Sequence, residues 1–126
     1  MSRILLSINP EHVKNILIGK KRFEFRKVRC RSDVNKILIY STAPVKKVVA
    51  EANIEYIIEG DIEEVWNITN EYSGISYDYY ASYYEGKNKA IAYKLCNVRK
   101  YKEPKSLSEF GIQYAPQSFV YLPSNI

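Results

Sequence analysis

Between Gly19 and Arg31 the sequence gathers Lys20, Lys21, Arg22, Arg26, Lys27, Arg29 and Arg31 around a single acid, Glu24. Lys21 and Glu24 are the pair with chemical promise. A lysine deprived of its proton by burial acts as a base, and a carboxylate beside it shuttles protons, so together they suit metal-independent acid-base work. Their spacing resists this. In a regular strand, residues three apart point to opposite faces, so the two converge only if the chain bends at the junction after Gly19. The plainer alternative pairs Glu24 with Arg22 or Arg26 on its own strand face. His12 is the only histidine, has no nucleophile near it and reads as a surface or half-buried residue. No P-loop, GxGxxG or HExxH pattern occurs. Cys30 and Cys96 lie outside any CxxC, which leaves a structural zinc site without ligands and a secreted disulfide framework without cysteines. The expectation is no metal, no cofactor and a reducing cytoplasm.

The elements that must position these groups follow from local signals. Residues 4–8 read as a strand. Asn9 then supplies an N-cap and Pro10 a favoured first helical residue, Val13, Ile16 and Leu17 form an apolar stripe, and Gly19 fits the stop. Residues 22–26 alternate, with Phe23 and Phe25 on one face and Arg22, Glu24 and Arg26 on the other, as in a half-buried strand. A strand over 36–41 ends in the turn-prone Ser41-Thr42-Ala43-Pro44. Residues 48–58 show the clearest period of two, with Val48, Ala50, Ala52, Ile54, Tyr56 and Ile58 facing inward. Asp61 with Glu64 resembles a capping box ahead of a helix carrying Ile62, Val65 and Trp66. A further helix is expected over 76–85 and a long strand over 90–101. Ser106 and Glu109 repeat the capping pattern, and residues 118–122 close as a last strand. Several long strands with small helices favour a curved or closed sheet with helices at its mouth over a doubly wound fold.

Charge is segregated along the chain. Residues 1–47 carry a net +9, residues 48–86 a net −9 with no Lys or Arg, and residues 87–126 a net +5. The basic stripe suits phosphate, and the bland alternative is that the blocks pair with one another across the fold. Twelve tyrosines offer stacking surfaces, and six of them, from Tyr72 to Tyr84, crowd one segment. There Tyr77, Tyr80 and Tyr84 share a helical face and read as core, which leaves Tyr40, Tyr114 and Phe119 as the better stacking candidates. With 126 residues, 46% of them hydrophobic, the chain reads as one domain over 1–126 that needs no staple. It has no apolar run long enough for a membrane span and no secretion signal, so it reads as soluble.

Gly19, Lys21, Glu24 and Arg26 match the GxKxxExR signature of the ASCH domain, a branch of the PUA-like superfamily, at the place where that family carries it. The stretch from Ile39 to Glu51, IYSTAPVKKVVAE, is similar to a segment of small prokaryotic ASCH proteins described as predicted transcriptional regulators, and Pro116-Gln117-Ser118-Phe119 resembles their closing PPQSF. The resemblance implies an α+β fold, a small PUA-like β-barrel whose short flanking helices form a cleft, and binding of RNA or other nucleic acid. Some ASCH members are ribonucleases or amidohydrolases acting on N4-acylated cytidine. In the latter the catalytic set is a lysine, a threonine and a glutamate. Lys21 matches the lysine, Glu24 stands where the threonine would be, and Glu71 is the nearest candidate for the glutamate.

The sequence is thus read as binding RNA, single-stranded nucleic acid or a nucleotide in a basic cleft, with a possible regulatory role. Lys21, Arg26, Lys46 and Lys47 would hold phosphate, Tyr40, Ser41, Thr42 and Gln117 would meet a base, and Glu24 would orient Lys21 and Arg26. The alternative is a metal-independent hydrolase that works through Lys21 and Glu24 on a modified nucleoside or on the RNA backbone. A third reading is a module that docks on a protein partner through its oppositely charged blocks.

Overall fold

A computed structural model describes residues 2–123. Six strands form one mixed sheet in the order β2-β5-β4-β3-β1-β6. β1 (Ser2–Ile8) leads into α1 (Pro10–Leu17), followed by β2 (Phe23–Arg26), β3 (Val34–Ser41) and the long β4 (Lys47–Gly60). After α2 (Ile62–Thr69), a 3₁₀ turn (Asn70–Tyr72) and α3 (Tyr77–Tyr83), the chain returns as β5 (Ala90–Lys105), and a second 3₁₀ turn (Leu107–Phe110) precedes β6 (Phe119–Leu122). β1 and β3 run parallel and every other neighbouring pair is antiparallel. The sheet curls as a half-barrel, and its β2 end reaches β1, next to the opposite edge, where Arg26 Nη2 donates to the Ser7 carbonyl at 2.8 Å. Among the described residues, no helix is long and apolar enough to cross a membrane.

The caps act where local chemistry placed them. Asn9 accepts from the Glu11 amide at 2.9 Å, Asp61 from Glu63, and Ser76 from Tyr79, each satisfying an amide that a helix start leaves bare. The box formed by Ser106 and Glu109 is present in full. α1 buries Val13 and Ile16 against Ile4, Leu6, Ile37 and Ile39 of the sheet. α2 and α3 cover the β2 end, where Val65, Tyr80 and Tyr84 pack on Phe23, Phe25 and Ala92. A third cluster, on the other side of the sheet, holds Leu5, Leu38, Tyr40, Val48 and Leu122.

Three expectations change. β2 is covered on both faces, so Glu24 is buried along with Phe23 and Phe25, because helices cover one side and the curl closes over the other. In β4 a register shift between Ile54 and Tyr56 breaks the alternation, so Tyr56 is exposed and Ile57 packs against the core. The shared face of α3 also divides: Tyr80 and Tyr84 are buried, while Tyr77 is exposed and donates to Glu63 at 2.7 Å. The charge blocks pair in part. Glu51, Glu55 and Glu59 of β4 all hold cations of neighbouring segments, namely Lys36 and Arg99, Lys94, and Arg29.

Candidate functional site

Gly19, with φ +86°, turns the chain out of α1, and the Lys21 amide then donates to Asn15 at 3.0 Å. Lys21 therefore precedes the start of β2 and escapes strand alternation. Its side chain reaches the same hollow as Glu24 and Arg26, and both sequence readings of Glu24 hold at once. Glu24 Oε1 lies 3.9 Å from Lys21 Nζ, and Oε2 lies 3.3 Å from Arg26 Nε.

The cavity has a volume of about 170 Å³. Ser7 and Ile8 at the end of β1 form one wall, Asn9 and His12 of the first turn of α1 another, and Ile75, Tyr79 and Tyr83 the side facing α3. Lys21, Glu24, Phe25 and Arg26 form the rest. Tyr84 holds the β2 wall in place, its hydroxyl donating to the Arg26 carbonyl at 2.8 Å, and the Tyr80 hydroxyl ties α3 to α2 by donating to the Ile62 carbonyl at 2.8 Å.

Lys21 is clamped from behind. Its ammonium donates to the Ser73 carbonyl at 2.9 Å and sits 4.8 Å from the centre of the Phe25 ring. Gly74, with φ +70°, presses on it so closely that a Cβ there would stand 2.5 Å from the Lys21 Cβ. The buried Ser73 hydroxyl holds this loop through the carbonyls of Asn70 and Ile75, each at 3.0 Å. Burial pushes the Lys21 ammonium below its ordinary pKa of 10.5; Glu24 opposes that push and Arg26 reinforces it. His12 Nε2 lies 3.0 Å from the Tyr79 hydroxyl, the two rings meet edge-on, and burial followed by the charge of Lys21 pushes the imidazole below its ordinary 6.5.

Hydrogen-bond accounting separates the three charged groups. Arg26 spends Nη2 on Ser7, but its buried Nε points off the carboxylate and has no hydrogen-bond partner. Lys21 spends one N–H on Ser73. Glu24, only 7% exposed, accepts no hydrogen bond from any described residue; cations flank it without bonding to it.

The remaining sequence-derived residues do not line this cavity. The end of β1 organises them: the Ser7 amide donates to Ser118 and its hydroxyl to Pro116, while the Thr42 amide donates to Ile8. Thr42 and the exposed Gln117 thus sit next to the mouth. Lys46 (φ +54°) is exposed after the following turn and Lys47 at the start of β4. Tyr40 is buried under Leu5, Leu38, Val48 and Leu122, so its ring offers no stacking face, and Ser41 is buried with it. Phe119 packs on the core with its ring edge-on to Tyr121, whereas Tyr114 is fully open. Glu71 is exposed in the 3₁₀ turn outside the cavity. Sequence reading set His12 aside as a surface or half-buried residue and passed over Tyr79, Tyr83, Ser73 and Gly74 as site residues. Tyr79 and Tyr83 carried a usable signal, an i, i+4 pair on the face of α3 turned away from the buried Tyr80 and Tyr84.

A family described as Domain of unknown function (DUF365) matches residues 2–115. The chain is 36% identical over 120 residues to the large ribosomal subunit protein uL22 of Ureaplasma parvum, covering 94% of this chain and 39% of that protein. It thus spans about two fifths of the length of that curated relative. It is 37% identical over 92 residues to an ASCH domain-containing ribonuclease of Zymomonas mobilis, covering 72% of this chain and 62% of the relative. The crystal structure of ASCH from Zymomonas mobilis superposes with a TM-score of 0.87 at 31% identity, covering 97% of this chain and 88% of that one. The curled six-stranded sheet with three short helices is accordingly the α+β, PUA-like arrangement, and the chain belongs to the ASCH domain family.

Proposed function

We propose that this chain, read as one ASCH unit over residues 1–126, binds RNA as a single strand laid across the mouth of the cavity. One observation carries the reading: Lys21, Glu24 and Arg26 converge in a half-enclosed hollow with much of their hydrogen-bonding capacity unspent. Three buried charges in one small space are costly to hold and serve a ligand better than they serve stability. The exposed cations Lys46 and Lys47, at the β3–β4 connection, supply the sequence-independent attraction that a phosphate backbone needs. A relative that carries the name ribonuclease and another that carries the name of a ribosomal protein are in keeping with RNA as the ligand. Any regulatory effect would act through that contact. With Cys30 and Cys96 both free, a reducing cytoplasm is the setting we assign.

Titration of labelled RNA at stepped salt tests this. Affinity is expected to fall steeply with added salt and to drop on Arg26→Ala. Binding that is undetectable, or indifferent to salt, would remove the reading.

A second reading, RNA cleavage, draws on the lowered pKa of Lys21, which makes its neutral form more available as a base. Cleavage in EDTA that is lost on Lys21→Ala would establish it. N4-acetylcytidine in the same assay separates amidohydrolysis from backbone cutting.

A further inference from the structure

The cations at the far end of β5 are left uncompensated by the fold. From Arg99 to Lys105 every residue except the half-buried Tyr101 is exposed, and Arg99 is taken up by Glu51. Lys100, Lys102 and Lys105 hold no acid among the described residues, and neither do Lys46 and Lys47. The sheet register gathers these two groups, because Lys105 pairs with Val48, the residue after Lys47. Local acids do not cancel the charge. Glu109 is bound into the Ser106 cap, which leaves Glu103 as the acid set among the lysines. The patch is also tied to the cavity. Lys47 pairs with Ser41 and Ser41 with Ile8, a cavity-lining residue, so two strand spacings, about 10 Å, separate Lys47 from that wall.

The chain makes a second connection. Just beyond β5 the Ile112 amide donates to the Leu107 carbonyl, and the carbonyls of Pro116 and Ser118 accept from the Ser7 hydroxyl and amide at the cavity wall. Residues 111–118 therefore run from the lysine-rich end of β5 to the cavity. They carry no charge, and their exposed side chains include Gln113, Gln117 and Tyr114, the last 83% exposed. We propose that this segment and the lysines at the start of β4 and the end of β5 form a track that leads the bound RNA away from the cavity, with the lysines on its phosphates and Tyr114 stacked on one of its bases. The track rests on the RNA-binding reading and extends it beyond the cavity. Uncompensated cations beside an open aromatic ring suit a single strand, since the charges follow the backbone and any base offers a face to the ring. An acidic protein is the poorer fit, because protein interfaces are depleted of lysine.

The test measures the affinity of the full chain for a single-stranded RNA at stepped salt, in the wild type, in a triple variant carrying Lys100→Gln, Lys102→Gln and Lys105→Gln, and in Tyr114→Ala. All four positions are exposed, so the fold is expected to be kept. The triple variant is expected to lower the slope of log affinity against log salt by about 2. Tyr114→Ala is expected to weaken RNA binding about tenfold with the slope unchanged, and to leave the affinity for a base-free oligomer of equal phosphate number as it was. An unchanged slope in the triple variant, or a Tyr114→Ala protein that binds RNA as tightly as the wild type, overturns the track and leaves RNA binding at the cavity standing. A wild type that binds no RNA removes both. Polyglutamate held as tightly as RNA of equal charge would mark the patch as a surface for an acidic protein and likewise overturn the proposal.

Discussion

Glu24 and Glu51 are both glutamates set among cations, and they are in opposite states. Glu51 on β4 is saturated: it accepts from Arg99, it is 3.1 Å from Lys36 Nζ, and it accepts from the Tyr101 hydroxyl at 3.1 Å. Burial pushes its carboxyl up, but the donors, led by Arg99, outweigh burial and hold it at about 2. Glu24 has cations at 3.3 and 3.9 Å and no donor aligned on either oxygen. The first cluster ties β3, β4 and β5 together and is complete. The second is held by proximity to two cations, and its carboxylate borders the cavity. Ion pairing by itself therefore says little about function, whereas unspent hydrogen-bonding capacity beside a cavity says a good deal.

The largest effect should come from breaking the second cluster. Arg26→Ala leaves the buried Glu24 beside Lys21 alone and frees the Ser7 carbonyl, so a loss of roughly 3 kcal/mol of stability is expected alongside the loss of RNA affinity. Urea unfolding checks this, and an unchanged midpoint would place Arg26 outside the structural account. Gly74→Ala should cost about 2 kcal/mol, since a left-handed backbone and the Lys21 side chain both resist a methyl group. Repacking there must move Lys21, so the pH dependence of any RNA cleavage should shift in this variant, which a purely global loss of stability would not produce.

Glu51 predicts a different signature. Its folded pKa lies below its unfolded one, so its contribution is present above the ordinary 4.5 and is lost as pH falls toward about 2. Glu51→Gln should flatten the acid limb of the melting-temperature profile and leave RNA binding untouched; lost binding would mean the two clusters are not distinct. The smallest effect belongs to the exposed lysines. Lys46→Ala and Lys47→Ala should each lower the slope of log affinity against log salt by about 0.7, with no change in stability.

Much of the architecture was legible because it rests on neighbours in sequence. Asn9 and Pro10, Asp61, Ser76, and the pair Ser106 and Glu109 each satisfy bare amides within one turn, so their effect needs no distant partner. The spacing of Lys21, Glu24 and Arg26 was also legible, and all three line the cavity. Tyr40 shows where such reading stops. A tyrosine beside a loop looks available, but the sheet curls a separate apolar cluster over it. Tyr56 shows the same limit, because a register shift turned it outward although the pattern was unbroken.

Alone, the sequence determined the element order, the caps and the spacing of Lys21, Glu24 and Arg26, since these depend on contacts a few residues long. Only the tertiary structure decided that His12, Tyr79 and Tyr83 join them, that Ser73 and Gly74 clamp Lys21 from behind, and that Glu24 has no donor of its own. The physical reason is that burial and hydrogen-bond satisfaction are properties of a whole neighbourhood, assembled here from three segments of the chain, residues 7–12, 21–26 and 73–83.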